Sequence, residues 1–199
     1  MVEVEVTGTI TDVTGDPDKI FGADDGDTFM MSYSYDTDTA VDISGSPNIG
    51  LYFLGTPMSF TLGGVTYIAP DSSSASRIDN DTGGVDSYVA GTARSFSDNG
   101  LDNLTGMILL TDTDGSVFSD DSLPISFALS DFEQSMFNFG GSDDGVFGGV
   151  QGSIDSITFS SDMGMSPVPL PAAIWLFGSA LAGLFGFKLR QRHTQVLAA

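Results

Sequence analysis

Carboxylates are the only abundant side chains in this chain that could do chemistry. Of its 27 acidic residues, all but Glu3, Glu5 and Glu133 are aspartate. The single histidine is His193, and cysteine is absent. The body of the chain therefore has no Ser/His/Asp triad, imidazole base, thiolate nucleophile, disulfide or zinc site built on Cys or His. Acid pairs and hard-cation sites remain. A glycosidase needs two carboxylates facing each other across a cleft, and no spacing here singles out such a pair. Calcium takes several oxygen ligands, which three groups offer: Asp24, Asp25 and Asp27; Asp36, Asp38 and Asp42; and Asp112 with Asp114. None completes an EF-hand, because the twelfth position from Asp112 is Leu123 and from Asp79 is Ala90, where glutamate is required. Solvated Asp-rich loops are the competing reading. Calcium is the one cofactor these residues suggest, and the balance is non-enzymatic.

The elements that carry these acids read as β-strands. Val2, Val4, Val6 and Ile10 alternate with Glu3, Glu5, Thr7 and Thr9, which puts apolar groups on one face and polar groups on the other. The alternation returns in Phe29, Met31, Tyr33 and Tyr35, in Ile49, Leu51 and Phe53, and in Met58, Phe60 and Leu62. Gly63-Gly64 between Leu62 and Val65 signals a two-residue hairpin, since a type I′ turn needs positive φ at both centres. Further strands are expected at 76–78, 85–90, 107–111, 125–129, 136–139 and 150–159. In the last, the apolar phase moves from Val150 and Ile154 to Ile157 and Phe159, which predicts a bulge. Tyr33, Tyr35, Tyr52, Tyr67 and Tyr88 offer material for a sugar-stacking surface, but alternation along strands assigns them to the core. About ten short strands separated by Gly/Asp turns argue for an all-β fold, an antiparallel two-sheet sandwich of jelly-roll type. Its own apolar faces should let it fold alone.

Three of the six basic residues, Lys188, Arg190 and Arg192, stand close together near the end. Residues 1–162 thus carry 3 − 27 = −24 charges. Such a surface repels phosphate backbones and has no basic patch to release counterions, so nucleic acid is excluded as a partner.

Composition changes after Asp162. Residues 163–187 hold no charged side chain. Within them, 170–187 is an apolar run that as a helix would span about 27 Å, against a hydrocarbon core of about 30 Å. Pro169 and Pro171 suit the approach to such a helix or its first turn, where a missing N–H is harmless. Gly178, Ser179, Ala180, Ala182, Gly183 and Gly186 suit close packing against another membrane helix. Lys188, Arg190, Arg192 and His193 follow as a basic stop, which the positive-inside rule puts in the cytoplasm and the acidic part outside. Four segments result: an acidic β domain at 1–162, a linker and motif start at 163–169, a transmembrane helix at 170–187, and a basic cytoplasmic tail at 188–199. A buried core helix and an ordinary single-pass anchor are the alternatives for 170–187.

The order Val168, Pro169, Leu170, Pro171, Ala172, then a Gly/Leu/Ala/Phe run, then the basic cluster, resembles the PEP-CTERM sorting signal in its Val-Pro-Leu-Pro-Ala form. Leu170 stands where the commonest version has Glu, and six residues follow His193, where such tails usually stop. Upstream, Gly8-Thr9-Ile10, Gly26-Asp27-Thr28-Phe29 and Ser32-Tyr33-Ser34-Tyr35-Asp36 are similar to domains that often precede these tails. The resemblance implies an exported bacterial protein held in the inner membrane as a precursor. An exosortase-type membrane protease would then process it for the cell surface or an exopolysaccharide matrix. It also implies a cleavable export signal. Residues 1–5 lack a basic start and an apolar stretch, so roughly 20–30 residues of signal are expected upstream of Met1. A secreted carbohydrate-binding or carbohydrate-cleaving module using the same tail for delivery is the alternative function.

Overall fold

The computed structural model describes residues 1–15 and 21–161. The sorting motif at 168–172, the apolar run at 170–187 and the basic cluster of Lys188, Arg190 and Arg192 lie outside the described residues.

The described chain is all-β, with strands β1 (Val2–Thr14), β2 (Thr28–Tyr35), β3 (Ile49–Phe53), β4 (Met58–Leu62), β5 (Val65–Ala69), β6 (Ser74–Asp79), β7 (Asp86–Thr92), β8 (Phe96–Asp98), β9 (Leu101–Asp112), β10 (Gln134–Asp143) and β11 (Val146–Ser161). Local chemistry accounts for most of them. Val2, Val4, Val6 and Ile10 are buried while Glu3 and Glu5 are exposed, as alternation demands. Gly63 and Gly64 have φ of 55° and 80°, and Leu62 pairs with Val65 across them. The expected bulge is present: Thr7 pairs with Ser156 and Gly8 with Ile154, so Asp155 is the extra residue that turns Ile157 and Phe159 to the other phase.

All neighbouring strands are antiparallel, in the order β3-β6-β7-β9-β10-β11-β1-β2-β4-β5, with β8 paired to the start of β9. This is one continuous ladder rather than the two separate sheets the alternation suggested. The ladder curls so that β2, β4 and β5 face β7, β9 and β10. Phe60 on β4 and Tyr67 on β5 lie 5.0 and 5.3 Å, centroid to centroid, from Phe139 on β10. Phe29 on β2 stacks on Phe137 at 3.8 Å. Each such ring contributes roughly 1.5–3 kcal/mol by burial. Gly106 on β9 leaves room for two of them, since a Cβ there would stand 2.6 Å from both the Phe60 and Phe139 rings. All five tyrosines are buried. Tyr33 and Tyr88 join hydroxyls at 2.8 Å, and burial raises the pKa of both.

The segment at 125–129 is not a strand. Its alternation is real, but both sides of β9 are taken by β7 and β10, so the chain returning from β9 cannot pair beside it. It ends instead in a 3₁₀ turn at Leu129–Asp131. Phe127 anchors it by ring contacts with Tyr88, Phe118, Phe132 and Phe159. Tyr35 and Tyr52 hold the same excursion by donating hydroxyl hydrogen bonds to the carbonyls of Pro124 (2.5 Å) and Asp121 (3.1 Å).

Candidate functional site

The densest group of acids forms where β7 begins and β9 ends. Asp86 and Asp112 sit directly opposite each other in the ladder, on the inward phase set by Tyr88 and Ala90 and by Ile108 and Leu110. Their side chains are 0% and 1% exposed. Like charges facing each other across strands are unfavourable, and burial adds to that cost. Five main-chain N–H groups offset it. Asp86 accepts from Asp81 at 2.7 Å and Phe118 at 2.6 Å. Asp112 accepts from Asp114 at 3.2 Å, Ser116 at 2.7 Å and Val117 at 3.2 Å. Burial pushes the Asp112 carboxyl up, but those donors together with Asp114 outweigh it and hold its pKa below the ordinary carboxylate value.

Asp114 and Glu133 complete the group. Asp112, Asp114 and Glu133 each offer one oxygen, and these oxygens lie within 4.8 Å of one another. Glu133 also accepts the Thr113 N–H at 2.8 Å, which ties the start of the 113–133 excursion to its end. Three carboxylates at this spacing suit a hard cation, although calcium takes six to eight oxygens and part of this capacity is already occupied by N–H donors.

The other two groups of candidate ligands organise turns. Asp27 accepts the Asp24 N–H at 2.9 Å and Asp25 is exposed, in the turn leading to β2. Asp36 accepts the Asp38 N–H at 3.1 Å. Asp42 accepts N–H groups from Leu51 and Ser44, both at 2.9 Å, and these lower its pKa. Among the described residues, only Asp112, Asp114 and Glu133 converge as a set of three. Sequence spacing brought out Asp112 and Asp114 but missed Glu133, which arrives only after the long excursion. It also missed Asp86, although an acid on the inward phase of a strand was a readable signal.

A groove of about 650 Å³ lies on the outward face of β1, β2, β4 and β11, with Glu3, Glu5, Ser32, Ser34, Ser59 and Thr158 among its lining residues. Its two glutamates stand two positions apart on one strand and share a wall, whereas glycosidic cleavage needs carboxylates on opposite sides. Among the described residues, no helix is long and apolar enough to cross a membrane. Comparisons with family models, with curated proteins and with solved structures find no match to this chain.

Proposed function

We propose that this chain is a non-enzymatic, exported component of a bacterial cell surface or extracellular polysaccharide matrix, delivered by its C-terminal sorting signal. The observation that carries the reading is the residue order of the tail: Val168, Pro169, Leu170, Pro171 and Ala172, the apolar run at 170–187, and the stop at Lys188, Arg190 and Arg192. In this reading 170–187 is a single transmembrane helix, and the acidic part, whose one curled ladder folds over itself into two facing layers in the manner of a jelly roll, lies outside the inner membrane. The proline-marked motif sits near the outer surface, open to an exosortase-type protease. The described part supports a scaffold role. The buried Asp86 and Asp112 carboxylates are occupied by main-chain donors, and the groove lacks opposed acids.

Mass spectrometry of the protein from its host tests this: surface-located material should end near 168–172. A surface form still ending at Ala199 would instead make the tail a permanent anchor. Replacing 168–172 by a Gly/Ser spacer should trap the full-length chain in the inner membrane, and unchanged sorting of that variant overturns the motif.

A second reading, a carbohydrate-binding module, draws on the hydroxyl- and glutamate-lined groove. Retention on a polysaccharide column that is lost in Glu3→Ala/Glu5→Ala would favour it. Calcium at Asp112, Asp114 and Glu133 is compatible with either reading.

A further inference from the structure

A ladder of this kind ends in two strands, β3 and β5, whose outer main-chain groups invite another strand. At both ends those groups are partly occupied: on β5 by side chains at the end of β8, which lies beside it, and on β3 by side chains together with the main chain of the 42–46 segment, which bridges Ser46 to Ile49. On β5, pairing to β4 across the two-residue turn leaves Thr66 and Ile68 pointing outward. The Asp98 carboxylate accepts the Ile68 N–H at 2.7 Å, and the Asn99 amide donates to the Thr66 carbonyl at 2.9 Å. On β3, Asp42 accepts the Leu51 N–H at 2.9 Å, Ile43 N–H donates to the Leu51 carbonyl at 2.9 Å, and the Ser44 hydroxyl donates to the Ile49 carbonyl. In each case an acceptor and a donor reproduce part of what a neighbouring strand would present.

We infer that Asp98 with Asn99, and Asp42 with Ser44, are strand-mimicking stoppers that keep the two ends of the ladder from pairing with a second copy of this chain. The edges they cover are otherwise suited to it. Ile68 and Val65 on β5 are 55% and 39% exposed, and Phe53 on β3 is 45% exposed, so a newly paired strand would bury apolar side chains as well as main-chain groups. General self-repulsion from −24 charges over residues 1–162, 3 − 27, opposes association in dilute salt. It is not directed at an edge, and salt removes it.

The test uses the intact chain in detergent at about 1 M salt, where screening acts within roughly 3 Å. Three forms are compared with the unchanged chain: Asp98→Ala/Asn99→Gly, Asp42→Ala/Ser44→Ala, and Asp98→Asn. Glycine is chosen at position 99 because Asn99 has φ of 51°. Sedimentation should show the first two forms becoming larger with concentration while keeping a β spectrum. Hydrogen exchange at Ile68 or Leu51 should be about tenfold faster in dilute samples and slow again as the chain concentrates. Asp98→Asn keeps an acceptor and should behave as the unchanged chain. If the β5 variant loses its β spectrum, the β3 variant at the opposite end decides. Unchanged size across about a hundredfold range of concentration, with the β spectrum kept, overturns the inference.

Discussion

The aspartates where β7 begins and β9 ends and those in the turn before β2 are the same residue type put to different work. Asp86 and Asp112 are buried, lie opposite each other and together accept five main-chain N–H groups. Asp27, half-buried, accepts one from Asp24, and Asp25 stands exposed beside it. Composition alone makes both regions acidic loops. The contrast predicts that the energetic weight of a carboxylate here follows from its own burial and from how many main-chain donors it holds, because an unsatisfied buried group costs far more than an exposed one.

The largest effect expected from this contrast is at Asp86. Asp86→Ala orphans the N–H groups of Asp81 and Phe118 and should destabilise the fold by about 3 kcal/mol, measured by urea unfolding. A loss no larger than that of an exposed Asp would break the comparison.

Cation binding is the next test. An ion held at a hundredfold excess over its dissociation constant adds about 2.7 kcal/mol, which raises the melting temperature by roughly 5–11 °C. Calcium should raise it against chelator at matched ionic strength, Glu133→Gln should diminish the rise, and Asp25→Asn should leave it. Equal melting temperatures in calcium and chelator would remove the cation from the Asp112 group.

Acid should sharpen the contrast further. The folded-state pKa of Asp112 is lowered, so its contribution is present above the unfolded value of about 3.9 and is lost as pH falls through the folded one. A pH titration of unfolding should show a loss of stability below about pH 4 that is smaller in Asp112→Asn. The same slope in both forms would mean that Asp112 does not contribute.

The smallest effects belong to the turn before β2. Asp27→Ala removes one hydrogen bond and should cost about 1 kcal/mol, while Asp25→Ala should stay within about 0.5 kcal/mol. A cost at Asp25 equal to that at Asp86 would show that burial is the wrong criterion.

Several features needed only neighbouring residues. Alternation marked the inward faces of β1, β2 and β4, Gly63-Gly64 marked a hairpin, and the phase change after Ile154 marked the bulge at Asp155. The same alternation misled at 125–129, where Ile125, Phe127 and Leu129 suggested a strand. It also passed over β8, whose three residues are too few to show a period.

The sequence by itself determined the inward faces of β1, β2 and β4 and the reversal at Gly63-Gly64, because side-chain period and turn dihedrals are local properties; on β3 the apolar alternation of Ile49, Leu51 and Phe53 pointed to the wrong face, since Gly50 and Tyr52 are the buried residues and Phe53 is exposed. Only the tertiary structure decided that Asp86 meets Asp112, that Glu133 returns to Asp114, that Asp98 reaches Ile68, and that the strands form one curled ladder instead of two sheets. Those outcomes depend on which strand takes the free side of which other. That is a competition among hydrogen-bonding partners far apart in the chain, and no local pattern records its result.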